Sequence, residues 1–281
     1  MIRTLAYFQN LCALNSREPL AAFLQGAQSH GIQPLPDSMD ADAAVIWSVL
    51  WSGRMRGNRE VFQHYRSQLK PVIVIDVGAL VRNVTWKVAV NHVTAQGAYG
   101  HTHTLDFDRP KKLGIAQHNV QPGSPAVLIC SQHAQSLQMQ NFAKIEDWVN
   151  LAVARVKQHT DRPVIIRPHP RSLLRMNFLT PGIDIQDPHK LPNTYDSFDL
   201  RFNYHAIVNH NSGPGIQAAI RGCRPVVDST SLAYPVSVQP EQLEQPYTVD
   251  RDQWLVEICH TEYTVPELQA GTWVTRLAEF L

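Results

Sequence analysis

Two polar clusters in the second half of the chain combine residue types that bind phosphate. Val164–Pro170 reads VIIRPHP, an apolar run ending in a cation and an imidazole. Val208–Val227 reads VNHNSGPGIQAAIRGCRPVV, which predicts a strand, a small-residue turn, a helix and a further strand. Free N–H groups and the dipole at such a helix start favour an anion. Asn211 or Ser212 can cap the helix, and Gly213 and Gly215 allow a ligand close to the backbone because neither carries a Cβ. The motif is neither GxGxxG nor GxxxxGK[ST], so a dinucleotide or P-loop reading has no support. Arg167 can pair with phosphate through two parallel hydrogen bonds, and prolines on both sides of His169 fix its backbone. Both residues end a predicted strand, where open α/β sheets take ligands. The anion these residues suit is a nucleotide diphosphate, the leaving group of a sugar donor. The plain alternative is a capped helix, a surface Arg and a packed His.

The first half offers bases. Asp76 ends the buried run PVIVIDV just before Gly78, so its carboxylate could deprotonate a hydroxyl; the alternative is a turn cap. His92 and His101 are the other candidate bases, imidazole having a suitable ordinary pKa. His101, His103, Asp106 and Asp108 could meet one metal from an extended segment, with a polar loop as the default. Arg54 and Arg56 lie close to Trp47 and Trp51, and with Trp86 they could hold an unpaired base. Core packing accounts for Trp47 and Trp51 equally well.

These residues need a frame. Arg3–Phe8, Ala43–Trp51 and Pro71–Val77 read as strands, separated by helices from Ser16 to about Ser29 and over Asn58–Lys70. That alternation predicts parallel pairing. Residues 78–125 show few clear periods and are expected to cross between domains or to form an acceptor-facing loop layer, with Pro122–Pro125 as linker. The alternation restarts with strands at Ala126–Cys130, Pro163–Arg167, Ile183–Ile185, Ala206–Asn209 and Pro225–Asp228. Helices are predicted at Ile145–His159, with Trp148, Leu151, Ala152 and Val156 inward, at Gly213–Arg221 and at Trp273–Leu281. The expectation is an α/β protein of two Rossmann-like domains facing across a cleft, residues 1–122 for the acceptor and 123–281 for the donor.

Composition fits this. The chain has 281 residues, 44% hydrophobic and 17% charged, enough for two cores in an ordinary soluble protein. No apolar run reaches membrane-spanning length, and the start lacks a secretory pattern. The four cysteines are scattered with no CxxC, which suits a reducing cytoplasm. Residues 1–125 carry 12 Lys+Arg against 8 Asp+Glu, and the rest 13 against 16. The basic excess gathers at Arg54, Arg56, Arg59, Arg66 and Lys70 and at Arg109, Lys111 and Lys112. It could face an acidic acceptor such as DNA, or be solvated faces.

RPHP, NSGPGIQAAIRGCRPVV and Ala233-Tyr234-Pro235 resemble the donor domain of two-Rossmann glycosyltransferases of the capsular-polysaccharide and Kdo-transferase group. Gly222, Pro225 and Val226 keep that group's Gly-x-Pro-Val strand with one extra residue. Ser131-Gln132 is similar to its Gly-Gln turn, with Ser131 in place of Gly. VIWSVLWSGRM, HYRSQLKPVIVIDVGALVR, TWKVAVNHVTAQGAYGH and SLAYPVS resemble phage-type glycosyltransferases that modify DNA bases. The resemblance implies a GT-B-like enzyme without a metal or other cofactor. Its nucleotide-sugar donor, UDP-linked by expectation, would be held by Gln132, Arg167, His169, Asn211, Ser212, Gly213 and Gly215. A hydroxymethylpyrimidine in phage DNA would be the acceptor, met by Arg54, Arg56 and Trp86 and activated by Asp76 or His101. The alternatives are a polysaccharide or glycan acceptor, and a non-catalytic nucleotide-sugar binding protein.

Overall fold

The computed structural model describes residues 2–100, 105–120, 124–192, 198–199 and 203–281. The chain divides into two compact units, residues 1–113 with 256–281 and residues 114–255. Unit 1 opens with β1 (Thr4–Tyr7), α1 (Arg17–Ser29), β2 (Gln33–Pro36), β3 (Ala43–Trp47), α2 (Asn58–Ser67), β4 (Val72–Val77), β5 (Thr85–Val90) and α3 (Arg109–Lys112). Unit 2 holds β6 (Ser124–Cys130), α4 (Ile145–Lys157), β7 (Val164–Arg167), β8 (Asp184–Ile185), β9 (His189–Lys190), β10 (Phe198–Asp199), β11 (Tyr204–Asn209), α5 (Gly213–Ile220), β12 (Arg224–Val227) and the start of α6 (Asp252–Cys259). The chain then returns to unit 1 with β13 (Glu262–Thr264), α7 (Val265–Gln269) and α8 (Thr272–Leu277).

The sheet of unit 1 has the order β13-β5-β4-β3-β1-β2. Strands β1 to β4 are parallel, as the alternation predicts, whereas β5 runs antiparallel to its neighbours β4 and β13. β3 is buried on both faces, as expected of a parallel strand under helices. It stops at Trp47 rather than Trp51, because Ser48 turns the chain with a φ of 62°. Trp47 and Trp86 pack at 5.4 Å in a core completed by Phe23 of α1 and Trp273 of α8. Pro34 and Pro36 lie in β2. β2 is an edge strand, where a missing N–H costs no ladder bond.

Unit 2 is a five-stranded parallel sheet of order β12-β11-β6-β7-β8, with a small β9–β10 ladder beside it in sequence. α4 covers one face against Val127, Ile129, Ile166 and Val208. α5 covers the other through Ala218 against Leu128 and Ile207. The inward stripe of α4 is Trp148, Val149, Ala152, Val153 and Val156; Leu151, expected inward, is 50% exposed.

Two differences from the sequence expectation have physical causes. The first unit breaks off after Leu113 rather than near Pro122, and 256–281 belongs to it rather than to the donor domain. β13 completes the first sheet by pairing with β5 at Glu262↔Lys87 and Tyr263↔Trp86. Residues 78–125 are not a loop layer throughout, since β5 is buried along its length between β4 and β13.

Candidate functional site

Strand order in unit 2 reverses between β6 and β11. The chain runs outward through β7 and β8, then returns to place β11 and β12 on the other side of β6. Open parallel sheets bind ligands outside the carboxyl ends at such a switch. Here those ends carry Ser131-Gln132-His133 and Asn209-His210-Asn211-Ser212. Asn209, 2% exposed, ties them together. Its Nδ2 donates to Cys130 O at 3.1 Å and Ser212 Oγ at 3.0 Å, and its Oδ1 accepts from Ser212 N at 2.8 Å.

Ser212 is the N-cap residue of α5, but its hydroxyl is engaged with Asn209 and makes no cap bond. The first N–H groups of α5 are therefore left without a side-chain cap, the condition under which a helix start holds an anion. Gly215 has a packing role. A Cβ there would stand 2.7 Å from Val227 Cγ1, so glycine lets α5 lie against β12.

Gln132 is 6% exposed. Its Nε2 donates to Ser136 Oγ at 3.3 Å, while its Oε1 is buried with no hydrogen-bond partner among the described residues. Asn211 repeats the pattern: Nδ2 donates to Thr230 Oγ1 at 2.8 Å, and Oδ1 has no partner among the described residues. Leaving a buried acceptor unmade costs ~1–3 kcal/mol, so each is a place for a donor group of a ligand or a water.

His169 follows β7. Its N–H donates to Ser131 Oγ at 2.8 Å, and its Nδ1 accepts from Arg171 N at 3.1 Å. The neutral ring thus carries its proton on Nε2. The ring of His133 meets it edge-on at 5.2 Å, and burial, then the charge of Arg171, holds His133 below the ordinary imidazole range. Arg167 is not presented at the strand end. It is 5% exposed, its Nη2 donates to Gln186 Oε1 and to Tyr204 Oη, and its guanidinium lies 5.8 Å from the Tyr204 ring centre. Arg167, expected as a phosphate clamp, is thus bonded within unit 2, with β6 between its strand and β11.

Two further residues complete this edge. Asp228, just past β12, accepts from Thr230 N at 3.0 Å and Thr230 Oγ1 at 2.7 Å. Burial pushes its carboxyl up, but the Thr230 bonds and the charges of His210 and Arg155 outweigh that and hold it below the usual range. His210 packs edge-on to Phe142 at 6.0 Å and lies 6.1 Å from Trp148, and burial pushes it down. A small pocket of about 60 Å³ opens beside them, lined by Trp148, Leu151, Arg155, His210, Asp228 and Gln239. Sequence reasoning missed Asp228 and Gln239; the one signal for Asp228 was its place at the end of the apolar run PVV.

In unit 1, Asp76 stands half-buried in β4, near its carboxyl end. Its Oδ2 accepts from Ser48 Oγ at 3.1 Å and its Oδ1 from Val77 N at 2.7 Å. Burial pushes its carboxyl above the usual range, against the pull of Val77 N–H, Lys87, Ser48 and Arg82. A raised carboxylate pKa suits a base working near neutrality. His92 shares a 2.7 Å hydrogen bond with Thr94 Oγ1, and burial pushes it down. His101 and His103 lie outside the described residues. Asp106 is paired with Lys112 at 2.6 Å, and among the described residues no three His, Cys, Asp or Glu gather as a metal set.

Arg54 and Arg56 are exposed on the turn Gly53–Gly57 after β3. Trp86 is not an acceptor platform: it is 4% exposed and part of the core. Arg109 is likewise internal. Its Nε donates to Cys259 O at 2.5 Å, its Nη2 to Glu262 O at 2.6 Å, and its Nη1 pairs with Glu267. No helix of the described residues is long and apolar enough to cross a membrane.

No protein-family model matches the chain, and no curated protein matches its sequence. Solved structures do match its fold. The β-Kdo 2,4-transferase of Thermosulfurimonas dismutans KpsC aligns at a TM-score of 0.51 and 12% identity, over 92% of this chain and 90% of that one. The β-Kdo 2,7-transferase of the same KpsC aligns at 0.51 and 9% identity, over 98% and 99%. A Methanocaldococcus jannaschii UDP-GlcNAc 2-epimerase aligns at 0.35, too loosely to argue from. The likeness shows the fold: an α/β protein with two sheets flanked by helices, of the GT-B-like type. The phage-type likeness of the first half gains no support from these matches.

Proposed function

We propose that this chain is a glycosyltransferase that moves a sugar from a nucleotide-activated donor to a hydroxyl of a glycan. The observation that carries the reading is the switch point of unit 2. There a helix start without a side-chain cap, two buried acceptors with no donor among the described residues, and His169 meet at the carboxyl edge of one sheet. The α5 N–H groups would take the donor phosphate, Gln132 and Asn211 would accept from its hydroxyl or amino groups, and His169 Nε2–H would donate to a departing oxygen. Stabilising the leaving phosphate and fixing the donor's orientation are the two terms such a transfer needs. Within unit 1, Asp76 is the candidate base for a hydroxyl. A fold shared with two Kdo transferases supports this.

A glycan acceptor is favoured over a DNA base. The aromatic and cationic residues that suggested DNA include Trp86 and Arg109, and both are internal. The test is incubation with CMP-Kdo and a panel of UDP-sugars, each with short glycans or hydroxymethylpyrimidine DNA, followed by mass spectrometry. Nucleotide release with a sugar-sized mass gain on a glycan is expected. Mass gain on DNA alone would replace the acceptor, and donor binding without turnover on any acceptor would sink the transferase reading.

A further inference from the structure

Three charged side chains stand in a row across unit 1. Asp76 of β4 lies directly opposite Lys87 of β5, and Lys87 directly opposite Glu262 of β13. Directly opposed residues point to the same face, with Cβ atoms ~5 Å apart. That face is the one opposite the aromatic core, since Val77↔Trp86 and Ile75↔Val88 alternate with Asp76↔Lys87 in the register. The two carboxylates are already satisfied. Glu262, fully buried, accepts from Ala79 N at 2.6 Å, Leu80 N at 3.1 Å and Thr85 Oγ1 at 2.6 Å. Asp76 has Ser48 and Val77. Ser48 is itself held at a φ of 62°, a strained setting for a residue with a side chain, and its N–H donates to Ile75 O at 2.7 Å.

Lys87 is the unexplained member. It is 8% exposed in the middle of a buried strand, and its ammonium has no hydrogen bond or ion pair among the described residues. Its carbon chain is covered within the sheet, and its register sets its charge beside two carboxylates. The other groups facing Asp76 are Arg82 from the loop after β4 and Tyr99 from the loop after β5, with Glu262 two strands away.

We propose that Lys87 is a positioning residue for Asp76, its ammonium holding the neighbouring carboxylate in the charged form that a base requires. The proposal rests on the base role given to Asp76 above. Its test needs neither donor nor acceptor. Asp76 is followed by carboxyl-carbon NMR in protein labelled at aspartate, its signal identified by loss in Asp76→Asn. In Lys87→Met the Asp76 midpoint rises by about one pH unit or more, and in Lys87→Arg it returns to within about 0.3 of the parent. In the unsubstituted protein the Lys87 Nζ resonance moves at the Asp76 midpoint and stops doing so in Asp76→Asn, which keeps the test open if Lys87→Met does not fold. An unchanged Asp76 midpoint in folded Lys87→Met, or a Lys87 Nζ signal indifferent to Asp76, overturns the proposal. A coupled pair in a protein that transfers no sugar would leave the coupling standing and remove only the transferase reading.

Discussion

Gln132 and Arg167 show how two polar residues at one sheet edge can differ in their surroundings. Arg167 ends β7, Gln132 follows β6, and both were expected to meet the donor. Arg167 found its partners inside the fold, while Gln132 Oε1 found none among the described residues. Truncating Gln132 therefore removes one weak bond to Ser136 and one unmade bond, so Gln132→Ala should change stability by under ~1 kcal/mol. The loss should fall on the ligand instead: affinity for the accepted nucleotide-sugar drops about 5- to 10-fold, the worth of one hydrogen bond. Calorimetric titration beside a thermal melt checks both halves; a large fall in melting temperature with unchanged affinity would make Gln132 structural. The types at this edge were legible in the sequence, because Asn, Ser, Gly and His beside an apolar run have few other uses. Their addresses were not. Nothing in RPHP reveals that Gln186 and Tyr204 lie within reach of Arg167, and nothing in TWKV reveals that Trp86 faces Trp47.

Elements were legible where one force dominated. AAVIW, VIVI and AVLIC are long enough in apolar residues to be strands on any reading, and α4 has a clear inward stripe. β5 and β13 were missed because Lys87 and Glu262 interrupt their apolar pattern, and the sequence cannot place the Ala79, Leu80 and Thr85 donors that hold Glu262. Contacts between elements yield two expectations. Gly26 sits inside α1, where alanine normally favours a helix by up to ~1 kcal/mol. A Cβ there would come 2.1 Å from Leu268 O and 2.9 Å from Gly271 Cα, both backbone atoms. The clash outweighs the propensity, and Gly26→Ala should destabilise by about 1–3 kcal/mol in urea titration. In unit 2, Arg162 grips Glu244 through two 2.7 Å bonds. Arg162, then Thr160, holds the Glu244 carboxyl at about 2. A lowered folded pKa stabilises above the unfolded value near 4.5 and is lost as pH falls towards 2. The pair is half exposed, so solvent screening limits it to about 0.5–1 kcal/mol. Glu244→Gln should flatten the fall in melting temperature between pH 4.5 and 2; an unaltered slope would assign it to other carboxylates.

At the scale of the whole molecule, residues 256–281 matter beyond their number. They supply an edge strand, the Trp273 ring stacked 3.9 Å from Phe23, and the Glu267 partner of buried Arg109. Deleting them should strip hydrogen-exchange protection from residues 1–113 while 114–255 keep theirs; retained protection in both would mean the first sheet closes without β13. This reach of the last segment into the first unit escaped the sequence, since local patterns carry no record of long-range pairing. It also sets a timetable during synthesis. Residues 114–255 form one unbroken stretch, so their sheet can close while the ribosome is still translating. The first 113 residues emerge earlier but must wait, with β5 a bare strand edge open to wrong partners, until Glu262–Thr264 has cleared the exit tunnel. The half made first is the half finished last.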